Sequence, residues 1–143
     1  MNTPVIGEGN IRVRVPLPDD SSDYTLSSVS VFYNPEMELN RDITVAAISG
    51  FIDRTGVEPA SISYADVMSA SGIRGIRMAS ELGLKCWLND WNPDAYELIR
   101  ENIKLNALEE SCTLSHQNAN TLMHQEQFDI VDLDPFGSPA PFL

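Results

Sequence analysis

These 143 residues predict an α/β fold in which helices cover both faces of a parallel sheet. Two patterns lead there. From Ser63 onward, short apolar runs alternate with segments of helical spacing, in the order strand, helix, strand, helix, strand, turn, strand. The small, acidic and amide residues that suggest chemistry fall just after the apolar runs, on the rim where such sheets bind ligands. Composition agrees, since 43% apolar and 21% charged residues are globular proportions.

The first 40 residues read as an irregular N-terminal extension, and 41–143 as part of the sheet domain. Within the extension, Ile11 to Val15 alternates apolar and basic residues. That is a short half-exposed strand presenting Arg12 and Arg14 on one face, ended by Pro16 and Pro18. The acidic, serine-rich stretch from Asp19 to Asp23 is expected as a solvated loop. Asp42 is expected to cap a helix running to about Thr55, with Gly56 as its stop.

Ser63 to Ser69 is the first strand of the regular part, with an acid inside it and a turn at Ala70-Ser71-Gly72. Ile73, Ile76 and Ala79 mark the buried face of a helix stopped by Gly83. Leu84 to Leu88 is the next strand, closing on Asn89-Asp90. Asn92-Pro93 then supplies an N-cap with Pro at the first helical position, and Ala95, Leu98, Ile99 and Ile103 keep helical spacing. Ser111 to Ser115 is a weak strand, and Asn120 to Gln125 a short helical turn. Phe128 to Leu133 reads as a strongly apolar, buried strand running into Asp134-Pro135-Phe136-Gly137. Right-handed crossovers bring the carboxyl ends of all four strands to one rim.

Nine Lys and Arg stand against 21 Asp and Glu, a net charge of −12, which opposes a whole-surface grip on a phosphate backbone or an anionic membrane. A local basic patch stays possible, because seven of the nine cations are Arg. There is no run of 18 apolar residues and no signal-peptide pattern, so neither a membrane span nor secretion is expected. Cys86 and Cys112 read as reduced, buried thiols of a cytoplasmic protein. His116 and His124 have no cysteine ligand pattern near them, and no metal site is expected.

The stretch D-V-M-S-A-S-G-I-R-G from Asp66 to Gly75 is a strand-to-helix turn of small residues, either a ligand cradle or simply a tight turn. It lacks the GxGxxG of dinucleotide sites, which removes an NAD-type dehydrogenase. Asp90 lies 24 residues after Asp66, where an acid accepts ribose hydroxyls; helix capping is the alternative. Asn118 and Ala119 follow the third strand of the sheet, in place to meet an adenine edge. Arg41 and Arg74 are candidates for a ligand carboxylate, which a guanidinium fork matches; a plain surface role is the alternative. Phe32, Tyr33, Trp87 and Trp91 are stacking candidates, with core or strand-end packing favoured for both Trp.

Asp134-Pro135-Phe136-Gly137 is the sharpest motif. An acid at a strand end followed by Pro and an aromatic resembles the D/N-P-P-Y/F pattern of amino-group methyltransferases. A ring amine is a poor nucleophile because its lone pair is delocalised. A carboxylate accepting its N–H offsets the positive charge that develops, and an aromatic stacks on the extruded base.

Taken with Val31-Phe32-Tyr33-Asn34-Pro35-Glu36-Met37, Asn40-Arg41-Asp42, Ser69 to Arg77, Asn89-Asp90 and Asp134 to Pro139, the chain resembles the tRNA (guanine-26, N2) dimethyltransferases from about Gly7 to Leu143. The resemblance implies a Rossmann-like class I methyltransferase sheet. It implies transfer of one or two methyl groups from S-adenosylmethionine to the exocyclic N2 of guanosine 26 in tRNA. By the same resemblance Arg41, Arg74, Asp90, Asn118 and Ala119 bind the cofactor, Asp134 is the catalytic carboxylate, and Pro135, Phe136 and Gly137 hold the guanine.

The chain departs from the family at Asn118, where members often carry Asp, and in length. About four strands are present where a methyltransferase sheet has seven. The expectation is therefore an N-terminal fragment, weakly active or inactive alone, with tRNA bound mainly by absent regions and an exposed sheet edge able to form a homodimer. The competing expectations are a non-catalytic nucleoside-binding or dimerising module, and an amino-methyltransferase for a different base.

Overall fold

The computed structural model describes residues 3–16, 31, 33–134 and 141. A hairpin opens it, β1 (Val5–Glu8) pairing antiparallel with β2 (Ile11–Arg14). A 3₁₀ turn at Pro35–Met37 leads into α1 (Glu38–Thr55). Then follow β3 (Ser63–Asp66), α2 (Ile73–Leu82), β4 (Lys85–Asn89), α3 (Pro93–Leu105), β5 (Cys112–Ser115), α4 (Ala119–Gln125) and β6 (Ile130–Asp132). The four strands of the main sheet are all parallel in the order β5-β4-β3-β6. The chain starts at the sheet centre, winds outward through β4 to β5, and returns to the other side of β3. That return makes the switch point where such sheets bind ligands.

The period-two pleat of β3 separates two cores. Tyr64 faces a larger cluster with Ile76 and Met78 of α2, Leu88, Ile99 of α3, and Val13 of the hairpin, with Val45 and Ile48 of α1 packed against it. Ala65 and Val67 face the opposite side, against Ala119 and Leu122 of α4. Helices therefore cover both faces, as expected. Gly75 has a tight reason to be glycine: a Cβ there would stand 2.8 Å from Leu88, so α2 lies closer to β4 than a side chain allows. Cys86 and Cys112 sit opposite each other in register, both buried and free.

Three expectations need correction. Asp42 does not cap α1. Asn34 and Pro35 start a 3₁₀ turn upstream, with Asn34 Oδ1 accepting from the Glu36 amide, and α1 continues directly from it, so Asp42 lies inside the helix. The last strand, β6, forms the exposed edge expected of an incomplete sheet, but it is not the buried strand that its apolar run suggests, since its Val131 is 43% exposed. An apolar run reads the same whether one or both of its faces are covered. The irregular extension contains an extra strand, β1, joined to β2 through Gly9-Asn10, a two-residue hairpin pair. Gly9 has φ +56°, and a Cβ there would meet Glu81 Oε1 at 2.6 Å. The solvated loop expected over 19–23 lies outside the described residues.

Candidate functional site

The turn after β3 is the centre of the site. Ala70 and Gly72 both have left-handed backbones, φ 52° and 83°. For Ala this costs about 1–2 kcal/mol, so neighbours must hold it. Asp90 does so from the end of β4, accepting the Ala70 amide on Oδ2 and the Asn92 amide on Oδ1, at 2.9 Å each. Asp66 does so from below: its Oδ2 accepts from the Ser69 hydroxyl at 2.8 Å and the Gly75 amide at 3.2 Å. Asn102 of α3 donates to the Ser71 carbonyl at 2.8 Å.

The strand ends are tied together by Asn89, which has no exposed surface. Its amide nitrogen donates to the carbonyls of Val67 and Gln117, and its oxygen accepts from Ser115 Oγ and the Gln117 amide. Burial pushes the Asp66 carboxyl up to about 7, and the charge of Asp132 adds to the rise. Burial likewise raises the phenol of Tyr64, whose hydroxyl donates to Asp132 Oδ2 at 2.6 Å.

Around this turn lies a cavity of about 520 Å³. Arg41, Arg74, Asp90, Asn118, Ala119 and Asp134, each expected from the sequence, all line it. Arg74 is held by Thr44 Oγ1 at 2.9 Å, Asn40 Oδ1 at 3.0 Å and Asp132 Oδ2 at 3.2 Å, and its Nη2 stands 4.0 Å from Asp134 Oδ2. The Asp134 side chain is largely exposed towards the cavity mouth. Asn118 caps α4, its Oδ1 accepting from the amides of Asn120 and Thr121. Arg41 is buried, and both edges of its guanidinium already face protein acceptors, Glu8 on one and the Asn34 carbonyl on the other. Pro135, Phe136, Gly137 and Phe32 lie outside the described residues.

Of the stacking candidates named from the sequence, Tyr33 and Trp91 line the cavity, and other lining residues had been given no role. Trp91 does not pack in the core; it is 69% exposed and lines the cavity, so the packing expected for both Trp holds only for Trp87. Trp87 meets the Phe128 ring edge-on and donates to Ser115 Oγ. Met37 and Asn34 also line the cavity. Asp66 stood in the quoted motif with no role attached, because a strand-end acid shows its burial only once the sheet is assembled.

The donor set fits an elongated ligand with hydroxyls at one end and an anionic group at another. Asp90 keeps spare lone pairs for hydroxyls, Asn118 and Ala119 offer an amide edge, and two guanidinium groups supply positive charge. The volume suits a cofactor-sized molecule, since such pockets measure about 300–1,000 Å³. No cluster of His, Cys, Asp or Glu suited to a metal occurs among the described residues.

Comparison with known proteins agrees with this geometry. The chain is 51% identical over 142 residues to a tRNA (guanine(26)-N(2))-dimethyltransferase of Methanosarcina acetivorans, covering 96% of this chain and 37% of that protein. It is 44% identical over 137 residues to one of Methanosphaerula palustris, with 96% and 34% covered. Among solved structures, Trm1 from Pyrococcus horikoshii in complex with S-adenosyl-L-methionine superposes with a TM-score of 0.78 at 35% identity, covering 97% of this chain and 38% of that one. An M. jannaschii tRNA m1G37 methyltransferase, 18% identical with a TM-score of 0.61 over 85% of this chain and 32% of that one, shares the fold. The sheet is thus part of a Rossmann-like methyltransferase fold, and the chain spans little more than a third of the curated relatives it matches. The family model for N2,N2-dimethylguanosine tRNA methyltransferase matches residues 9–143, and the chain belongs to that family.

Proposed function

We propose that the cavity binds S-adenosyl-L-methionine, and that the chain supplies the cofactor site and catalytic carboxylate of an enzyme methylating the exocyclic N2 of guanosine 26 in tRNA. One observation carries the reading: Arg41, Arg74, Asp90, Asn118, Ala119 and Asp134, drawn from five separate stretches of sequence, line a single cavity. The bound cofactor supplies an electrophilic methyl group. Asp90 accepts the ribose hydroxyls while keeping the Ala70 turn in place. Asn118 and the Ala119 amide meet the adenine edge, and Trp91 covers the ligand from the open side. Arg74 and Arg41 supply positive charge for the amino-acid carboxylate, Arg41 through its one remaining donor. Asp134 accepts the N–H of the guanine amine and takes up the developing positive charge; Pro135, Phe136 and Gly137 hold the base.

The −12 charge gives these residues little hold on phosphates, so tRNA binding is assigned mainly to the portion of the relatives that this chain does not span. Calorimetry with S-adenosyl-L-methionine is the test. One site per chain is expected, with quenching of Trp91 fluorescence. Asp90→Ala is expected to weaken binding by about tenfold or more, since a charge-assisted contact and the turn's anchor are lost together. An absence of binding by the wild-type chain overturns the reading.

A further inference from the structure

Arg41 reaches the cavity from α1, but the group that holds it comes from the N-terminal hairpin. Glu8, at the end of β1, has a side chain 1% exposed. Its carboxylate accepts from Arg41 Nε at 2.9 Å and Arg41 Nη2 at 2.6 Å, and from Arg77 Nη1 at 3.1 Å. A buried carboxylate survives only where charges and hydrogen bonds compensate its lost hydration. Arg77 does not need Glu8 for that purpose, because Asp42 and Glu81 each stand 2.6 Å from it. The acid left for Arg41 is Glu8.

The remaining contacts fix the guanidinium plane. The Asn34 carbonyl accepts from Nη1 at 3.4 Å and Nη2 at 3.3 Å, and the Tyr33 ring centroid lies 5.3 Å from the guanidinium carbon. Of the five N–H donors of an arginine, these partners engage four and leave one on Nη1. Tyr33, Asn34 and Arg41 together form one wall of the cavity. The hairpin is itself seated on α2, with the left-handed Gly9 against the paired side chains of Arg77 and Glu81.

We infer that Glu8 is a positioning residue of the site: it locks Arg41 so that its single free donor and its charge serve the amino-acid end of the ligand. This rests on the cofactor reading above. The hairpin, remote in sequence from the motif-bearing turns, is thereby a working part of the pocket.

The test compares two ligands by calorimetry on the intact chain: S-adenosyl-L-methionine, and 5′-methylthioadenosine, which lacks the amino-acid end. Glu8→Gln is expected to weaken the first by about tenfold or more and to leave the second within about twofold. Arg41→Lys should show the same selectivity, and the double variant should be no worse than either single one. Glu8→Asp retains the buried carboxylate but is one methylene too short to keep both bonds to Arg41. It should reproduce the selective loss, and serves if Glu8→Gln does not fold. Glu81→Gln, nearly isosteric, weakens an acceptor of Arg77 while leaving the Glu8–Arg41 bonds in place, and should change neither affinity. Equal weakening of both ligands by Glu8→Gln and Glu8→Asp makes Glu8 merely structural and overturns the inference. Equal binding of both ligands by the wild type overturns it while leaving the cofactor reading intact, whereas binding of neither ligand removes the cofactor reading itself.

Discussion

Asp66 ends the central strand, buried beneath the turn that it supports, with Asp132 of the adjacent strand nearby. Its carboxyl is raised from 3.8 to about 7, burial first and the Asp132 charge second. Between those two values the folded chain keeps a proton that the unfolded chain has released. Its contribution to stability is therefore complete below the lower value and is lost as pH rises through about 7. Asp66→Asn keeps an acceptor for Ser69 and Gly75 without the ionisation. In denaturant titrations it should match the wild type below about pH 3.8 and become progressively the more stable protein up to about pH 7, keeping that advantage above it; a wild-type advantage that grows with pH would contradict the assignment. The acid was visible in the sequence and its burial was not, since burial depends on β4 and β6 closing on either side of β3.

At the scale of elements, the hairpin is attached by an unusual device. Asn102 near the end of α3 and Asn106 at its C-cap, one turn apart, present their amides to β2 as a neighbouring strand would. Asn102 accepts from the Arg14 amide at 2.7 Å and donates to its carbonyl at 2.9 Å; Asn106 does the same for Arg12 at 3.1 and 2.7 Å. Asn102 is completely buried and also holds Ser71 of the turn after β3. Asn102→Ala strands several buried polar groups at once and should cost about 2–4 kcal/mol in urea unfolding, whereas the half-buried Asn106→Ala should cost about 1 kcal/mol. Gly75→Ala tests the other close approach. The helix propensity gained, about 1 kcal/mol, should be outweighed by the clash with Leu88, giving a net loss near 1 kcal/mol by the same measurement. Apolar periodicity located α3 correctly through Ala95, Leu98, Ile99 and Ile103. It was silent on the asparagines, because polar residues beside an apolar stripe read as solvent-facing until a second element is placed against them.

For the whole molecule, the exposed apolar surface and the net charge act in opposite directions. Leu39, Ile43 and Phe51 are exposed on α1, and Val131 on the β6 edge. The proposed self-association through that edge would have to overcome repulsion between two chains of charge −12. Sedimentation velocity should therefore show association that strengthens with added salt, and Val131→Glu should abolish it by placing a charge on the edge. A monomer at all salt concentrations would dismiss the homodimer. No helix among the described residues is long and apolar enough to cross a membrane.

By itself the sequence determined the alternation of strands and helices from Ser63 onward, the rim on which the chemistry gathers, and the family. Those properties rest on local spacing and on short motifs, which survive without knowledge of what packs where. Tertiary structure alone decided which polar groups are buried and what holds them: Glu8 on Arg41, Asp132 on Arg74, Asn102 between the hairpin and the turn after β3. It also decided that Trp91 faces the cavity rather than the core. Burial and pairing arise between residues far apart in the chain, 33 positions in the case of Glu8 and Arg41. No local pattern encodes a partner at that distance; the hairpin's fold against α2 and α3 does.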